Sequence, residues 1–368
     1  MAMRAIIMDT SYQRIGEVDD YISFIWTERY YTTGDFELIV PLTQRNAQIC
    51  VMGNYVIRAD IPDTTERAYD LIQNMGVIEQ VEFDESITGV ARMIVSGRFL
   101  LGVLSRRVCE EYHFNSSTPP NIAGILISWN MGISASASRV VDELKQPWYY
   151  KDDTGISSTI EAVFNGENLL DACVSLAENY GYGMRIGCWP ALGWWRIQFY
   201  KGTDRSYGQN VNPYVVFADI YDNLVSSYYS EDKKDLVTDV LVNGETTDMG
   251  VRYVVWATNG STNTGLNRYE SFVESTQVRT LDDGTVLTDA QYKANLRQEG
   301  RLSIRNLEQA FSGEVLFNQY QYRTDVNVGD IVTIRNDRWG IYVNARILEM
   351  IESTSESGEY TCAPTFGI

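Results

Sequence analysis

The stretch that decides the fold is Gly53-Asn-Tyr-Val-Ile-Arg-Ala-Asp60, because a similar stretch, Gly329-Asp-Ile-Val-Thr-Ile-Arg-Asn-Asp337, recurs near the other end of the chain. Each opens with a glycine and a short polar residue and continues as a strand. A strand pattern precedes each stretch, after Gly34 and Gly313, and another follows each, from Gly76 and from Ala345. Two similar β-modules predict duplicated barrels, a form suited to building a ring. A chance match between short β-patterns is the alternative.

Composition predicts a soluble globular chain of several domains. The 368 residues are 44% hydrophobic and 21% charged, and the net charge is −19. The strong acidity favours solubility and gives none of the basic footprint of a nucleic-acid binder. No apolar run is long enough for a membrane span, and the N-terminus has no signal pattern, so we expect synthesis in a cytoplasm.

No residue pattern indicates catalysis, a cofactor or a metal. The five cysteines are scattered without a Cys-x-x-Cys motif, so they predict free thiols in a reducing compartment. His113 is the only histidine, and it cannot build a histidine metal site alone. Nucleophile-elbow and phosphate-loop motifs are both absent. We therefore expect no catalytic residues, no cofactor and no metal.

One alternative function is a carbohydrate-active enzyme or a glycan-binding module. The aromatic strand from Trp194 to Tyr200 could stack on sugars, although core packing of a hairpin explains it as well. Acidic pairs such as Asp152-Asp153 and Asp282-Asp283 could act as acid and base, but neighbouring carboxylates in loops are typical of solvated turns.

The chain divides by pattern into four regions. Residues 1–105 are predicted to form a first β-barrel, and residues 106–225 an α+β insertion domain. Residues 226–245 and 311–368 are predicted to form the second barrel. Residues 246–310 are predicted to be a small insertion domain with a long helix.

Two helices have clear sequence signals. An apolar face runs from Asn168 to Tyr180 and ends at Gly181, which predicts a helix with a glycine C-cap. Thr288 with Gln291 is a capping box, which predicts the start of a helix reaching about residue 309.

Several motifs in order resemble the siphovirus tail-hub proteins, also called tail-associated-lysin-like or baseplate-hub proteins. They are Gly202-Thr-Asp-Arg-Ser206, Val215-Val-Phe-Ala-Asp-Ile-Tyr-Asp-Asn-Leu224, Val242-Asn-Gly-Glu245, Leu266-Asn-Arg-Tyr-Glu-Ser-Phe-Val-Glu274, Tyr322-Arg-Thr-Asp-Val-Asn-Val-Gly-Asp-Ile-Val-Thr-Ile334 and Phe366-Gly367.

The resemblance implies a β-rich α+β fold of two similar antiparallel β-barrels with two inserted α/β subdomains. It also implies a homotrimer whose six barrels form a ring at the distal tail tip of the virion. Implied partners are a tail-tube or distal tail protein, the tape-measure protein and tip or receptor-binding proteins. DNA would pass through the channel without specific binding, and the ring would gate its release. The chain ends at the second barrel, which puts lysin activity in doubt, so we expect no enzyme.

The candidate site residues are structural or interface positions: Asp204, Arg205, Asn223, Arg268, Glu270, Gly329 and Asp330. For Asp204 and Arg205 two roles stay open. Both could hold a turn by hydrogen bonds, or they could lie at a subunit contact.

Overall fold

The computed structural model describes residues 3–60, 71–84, 91–146, 149–226, 228–247, 249–281, 284–312, 315 and 319–367. The strands of the first half are β1 Ala5–Met8, β2 Arg14–Val18, β3 Ser23–Arg29, β4 Asp35–Pro41, β5 Tyr55–Arg58, β6 Gly76–Val77, β7 Gln80–Asp84, β8 Arg92–Arg98, β9 Tyr112–Ser117, β10 Tyr150–Asp153 and β11 Ile160–Phe164. Those of the second half are β12 Gly183–Trp189, β13 Trp194–Tyr200, β14 Val216–Ala218, β15 Tyr228–Asp232, β16 Asp239–Thr246, β17 Arg252–Thr258, β18 Glu270–Glu274, β19 Glu308–Ser312, β20 Ile331–Asn336, β21 Ile341–Ser355 and β22 Tyr360–Gly367. The α-helices are α1 Gln44–Ile49, α2 Pro119–Met131, α3 Leu169–Tyr180 and α4 Asp289–Leu302.

The largest sheet contains the same four-strand unit twice. Its strands run in the order β15-β19-β22-β21-β3-β4-β8-β7. In the first unit, β3, β4, β7 and β8 come in that order along the chain, but their order in the sheet is β3-β4-β8-β7. In the second unit, β15, β19, β21 and β22 stand as β15-β19-β22-β21. The two units have the same topology, and β21, at the end of the second unit in the sheet, pairs with β3, at the start of the first.

The two glycine-opened stretches make the same hydrogen bonds. The Gly53 amide donates to the Ile78 carbonyl at 2.9 Å, and the Ile78 amide donates to the residue after the glycine at 2.8 Å. Gly329 and Ile347 form the same two bonds, at 2.8 and 2.9 Å. Both glycines have positive φ, +88° and +95°. The strand registers also place Gly76 and Ala345 at equivalent positions. The predicted correspondence of these positions is confirmed.

The first strand of the module does not correspond as the sequence suggested. Gly34 immediately precedes β4, whereas Gly313 lies outside the described residues and β19 begins ahead of it, at Glu308. The equivalence of Ile78 and Ile347, followed through the strand registers, makes Arg98 of β8 equivalent to Gly367 of β22. Asp35 lies opposite Arg98 and Ala310 lies opposite Gly367, so Asp35 aligns with Ala310. The pairing partners, and not the glycines, therefore define this equivalence.

No sheet among the described residues closes into a barrel, so the two expected barrels are not confirmed. The small sheet β2-β1-β5-β6 faces the first unit across one core that includes Ile7, Val56, Trp26 and Leu38. The second unit has a different neighbour. There β20 pairs in parallel with β14, whereas its counterpart β5 pairs antiparallel with β1. The fold is β-rich α+β with several sheets.

The α+β insertion shares a hydrophobic core with β1, β5 and β6, whereas the small insertion has a core of its own. Helices α2 and α3 pack with β12 and β13, and α3 has the predicted ends: the Asn168 side chain caps it, and Gly181 closes it in the left-handed conformation at φ +70°. Helix α4 covers the sheet β17-β16-β18 through Tyr292 and Leu296. Residues 239–245, which the sequence groups with the second barrel, belong to β16 of this sheet.

Helix α4 has the predicted capping box of Thr288 and Gln291, but it ends at Leu302, earlier than expected. The segment from Glu308 becomes β19, because strand pairing to β15 and β22 satisfies its backbone within the large sheet. The predicted helix was therefore about two turns too long.

Candidate functional site

The two units meet at an internal junction, the antiparallel pair of β21 with β3. Seven residues of each strand lie opposite one another, from Glu349 opposite Arg29 to Ser355 opposite Ser23. The Arg29 side chain donates to the Glu349 carboxylate at 2.6 Å and also pairs with Asp35 on β4. The junction therefore joins residues from opposite ends of the chain by backbone and ionic contacts.

A buried ionic network lies behind this junction. Arg58 of β5 and Glu352 of β21 are paired at 2.6 Å, with side chains only 2% and 1% exposed. Arg323 bonds the same carboxylate and reaches Glu28 of β3 at 2.6 Å. Burial by itself raises the pKa of the Glu352 carboxyl, but Arg323 and Arg58 outweigh burial and hold the pKa below its ordinary value. Glu352 is therefore charged at neutral pH and shared by two guanidinium groups.

A cavity of about 380 Å³ lies next to the network, between the first unit and the α+β insertion. Its lining includes Arg58, Arg323, Arg185, Leu71 and Met184. The arginines on its wall are already engaged. Two share Glu352, and Arg185 donates to Gln198 at 2.7 Å while stacking over Tyr200. Because these arginines already bind protein groups, the cavity wall does not resemble an anion-binding site.

Four of the predicted site residues come together at the start of β20. Arg205 donates to the Asp330 carboxylate at 2.8 Å, and Asp330 is nearly buried. The same carboxylate accepts from the backbone amides of Thr203 and Asn327. Asp204 holds its own turn by accepting from the Ser206 amide at 2.9 Å. This arrangement favours turn stabilisation over a subunit contact, because the ion pair is internal.

Gly329 allows the close approach that this cluster requires. A side chain at Gly329 would place its Cβ 2.3 Å from the buried ring of Tyr30, and its φ of +95° is already unfavourable for other residues. Gly202 packs directly on the Gly329 carbonyl, where a Cβ would come within 1.8 Å. The backbone stretches around these two glycines are therefore in contact, which explains why both motifs carry glycine.

The other three predicted residues lie elsewhere. Asn223 is fully buried, accepts from the Ala218 amide at 2.8 Å and donates to the Val216 carbonyl at 2.9 Å, so it satisfies two backbone groups of β14. Arg268 pairs with Asp239 at 2.6 Å and with Glu270 at 2.5 Å on the small insertion sheet. Arg268 and Glu270 are thus separate from the β20 cluster.

In the part of the chain that the structure describes, the large sheet has two free edges, which the sequence interpretation missed. Within the described residues β7 pairs only with β8, and β15 pairs only with β19. Each edge carries an exposed aromatic side chain: Phe83 on β7 is 61% exposed and Tyr228 on β15 is 64% exposed. Unprotected edges that expose apolar groups are typical of strand-pairing surfaces. The pattern from Gly76 to Phe83 predicted a strand, but nothing in it marked an edge.

Among the described residues, no hydrophobic core packs against one face of the large sheet. Alternation places the cores on the side of Trp26 and Leu38, so the opposite side is the free face. Its described charged side chains are six carboxylates and three guanidinium groups: Asp35, Glu37, Glu82, Asp84, Asp232 and Glu349 against Arg29, Arg92 and Arg98. The free face is therefore net acidic.

The candidate catalytic features lack an active-site arrangement. His113 contacts Glu111 at 2.9 Å, and Asp152 holds a turn by accepting from Thr154, while the pair Asp282-Asp283 lies outside the described residues. Trp195 and Phe199 are buried in the core, so the aromatic strand packs internally. In the part of the chain that the structure describes, no acidic, cysteine or histidine cluster could hold a metal ion.

All five cysteines are free and buried, and burial raises the pKa of the Cys50 thiol to about 12. Among the described helices, none has the length and apolar character needed to cross a membrane.

Comparisons with known proteins point to one class. The sequence profile described as Siphovirus ReqiPepy6 Gp37-like protein matches residues 4–368. Curated protein sequences give no significant match. The fold is similar to a tail protein from Neisseria meningitidis MC58, with a TM-score of 0.58, 13% identity, and coverage of 100% of this chain and 97% of that one.

Two prophage proteins are similar over the same length. The 43 kDa tail protein of prophage MuSo2 from Shewanella oneidensis has a TM-score of 0.55 at 13% identity, covering 99% of this chain and 98% of that one. Prophage tail protein gp18 from Listeria monocytogenes EGD-e has a TM-score of 0.53 at 12% identity, with coverages of 99% and 94%. The predicted resemblance to siphovirus tail proteins is confirmed.

Proposed function

Because the chain belongs to the Siphovirus ReqiPepy6 Gp37-like family, we propose that it is a structural hub at the distal tip of a phage tail. In this proposal three copies form a ring that joins the tail tube to tip or receptor-binding proteins. The ring contacts a tail-tube or distal tail protein and the tape-measure protein, and it gates DNA release. The protein is part of the virion, and its role is structural and not enzymatic.

The observation that carries the proposal is the tandem four-strand unit with two free edges. Inside one chain, the end of the second unit joins the start of the first. The edges left over are the start of the second unit, β15, and the end of the first, β7. A contact between these edges in neighbouring chains repeats the internal junction. Contacts of this head-to-tail kind form a closed ring when the rotation closes.

The number of copies rests on the resemblance to tail-hub proteins, which implies six similar units around a sixfold tube. Three chains supply six units. In such a ring the open sheets would join into one continuous barrel, and the individual units would not need to close. The small sheet β2-β1-β5-β6 packs on the core side of the large sheet, so the opposite, free face would line the channel.

The acidic free face supports passage of DNA without specific binding. A lumen rich in lysine or arginine would pair with phosphates, release counterions and bind the genome. Carboxylates in excess repel the phosphate backbone and avoid that attraction. The same charge excess would serve solubility if the face were outside, so the location of this face in the assembly decides the matter.

The test is the solution mass of the full chain, followed by a structure of the assembly by electron microscopy. We expect a trimer with an axial channel lined by the free face. Phe83→Lys should reduce the assembly to monomers, whereas Leu266→Lys, at an exposed position between β17 and β18, should not. A wild-type chain that stays monomeric at micromolar concentration, or a channel dominated by lysine and arginine, would refute the proposal.

A further inference from the structure

The internal junction is a template for the contact between chains. Gln80 of β7 is equivalent to Glu349 of β21, because each lies two residues after the equivalent Ile78 and Ile347. The residues opposite them, Ser96 on β8 and Thr365 on β22, are therefore equivalent as well. In the same way Thr27 of β3 is equivalent to Ser230 of β15. The free edges of the molecule are therefore copies of the two strands that already pair inside it.

From this equivalence we infer the register in which β7 of one chain pairs with β15 of a second copy. The inference rests on the proposed ring. Transferring the register of β21 and β3 gives five opposing pairs, each joining a residue of β7 to one of the neighbouring chain. They are Gln80 with Asp232, Val81 with Glu231, Glu82 with Ser230, Phe83 with Tyr229, and Asp84 with Tyr228. These pairs cover both five-residue strands from end to end.

Side-chain direction supports this register. Phe83 lies opposite the buried Met93 on β8, so it is on the core side of the sheet. Tyr229 is on the core side too, since register links it through β19 to the buried Phe366. The pair of aromatic rings would extend the core across the boundary between chains, and Phe83 would lose its exposure to water. Aromatic cross-strand pairs are among the more stabilising pairs in antiparallel sheets.

Charge also supports this register. None of the five pairs sets a carboxylate opposite a carboxylate. A slip of two residues in one direction would put Glu82 opposite Asp232, and like charges directly opposite are destabilising. A slip in the other direction leaves only three opposing pairs and puts Val81 opposite Tyr229. The transferred register is thus the one that pairs both strands fully without repulsion.

The two junctions differ in chemistry although they share geometry. At the internal junction the position of Phe83 is taken by Glu352, which lies opposite Trp26 and is bound by two arginines. At the junction between chains the same position carries an aromatic ring. The contact between chains is therefore a strand addition stabilised by backbone hydrogen bonds and apolar contact, without the buried ion network.

Engineered disulfides test the register. Directly opposite Cα atoms on antiparallel strands lie about 4.5–5.5 Å apart, which a disulfide spans, so E82C/S230C should form covalent trimers on oxidation. E82C/D232C and E82C/Y228C are matched controls for slips of two residues. E82C and S230C alone should give no cross-link, because the five native cysteines are buried. A link within one chain is excluded, since the two edges are roughly 30 Å apart across the sheet.

Non-reducing electrophoresis and light scattering are read on the same samples. Covalent trimers from E82C/S230C, with little from either slip control, support the inference. If the wild-type chain is a trimer but a slip control forms the disulfide instead, or no variant forms one, the inferred register is wrong and the proposed ring is unaffected. A wild-type monomer with no link in any variant overturns the ring and the register together.

Discussion

Replacing Gly329 with alanine tests whether close packing requires a glycine at this position. Gly53, the equivalent residue of the first module, has no such close contact. At Gly329 a Cβ would lie 2.3 Å from the buried Tyr30 ring, and φ is +95°. Gly53 has the same hydrogen bonds and a φ of +88°, but no atom lies within 4 Å of its Cβ position. Both variants bear the left-handed backbone cost of about 1–2 kcal/mol. Only Gly329→Ala adds overpacking, about 1–3 kcal/mol.

We therefore expect Gly53→Ala to lower the free energy of unfolding by about 1–2 kcal/mol and Gly329→Ala by about 2–5 kcal/mol. Urea denaturation followed by tryptophan fluorescence and by circular dichroism measures both. Gly53→Ala is the matched control, because it has the backbone strain without the contact. Equal losses in the two variants would show that Tyr30 moves aside at no cost and would refute the packing argument.

Three further predictions concern charge and activity. Glu352→Gln should destabilise the protein by about 3–5 kcal/mol at pH 7 in urea denaturation, because Arg58 and Arg323 lose their shared carboxylate. Folding lowers the pKa of Glu352, so its stabilisation is complete above the ordinary value of 4.5 and is lost as pH falls through the folded value; the variant should lose this part of the acid sensitivity. Burial raises the pKa of Glu299, so its contribution is complete below 4.5 and is lost as pH rises through the folded value. Glu299→Gln should therefore raise the free energy of unfolding more at pH 7 than at pH 4; a gain that is the same at both would contradict this. Finally, the purified chain should give no clearing in a peptidoglycan zymogram, and clearing lost when one carboxylate becomes an amide would overturn that expectation.

The sequence predicted the parts of this fold that depend on local signals. The capping box at Thr288, the glycine cap at Gly181 and the paired stretches at Gly53 and Gly329 are set by residues close together in the chain. Helix α4 was predicted too long, because the segment from Glu308 is a strand only through partners far away in sequence.

The candidate site divides in the same way. Asp204, Arg205, Gly329 and Asp330 were found because their turns need those residue types, although only the structure shows them in one cluster. Neither the network of Arg58 and Glu352 nor the two free edges could be found from the sequence. A buried ion pair between residues 294 positions apart leaves no local pattern, and whether a strand is an edge depends on what lies beside it.

The ionic network at the internal junction would also disfavour incorrect strand pairing between copies of the chain during synthesis. Strand β3 emerges early in synthesis, but its partner β21 lies near the other end of the chain. Until then, β7 of another chain could compete for β3, since β7 has the same geometry as β21. Such a mispairing would set Phe83 where Glu352 belongs and leave Arg58 and Arg323 without their shared anion, at a cost of several kcal/mol. If the proposed ring forms, the buried charges distinguish the internal junction and the apolar pair distinguishes the junction between chains, so each strand pairs with its correct partner.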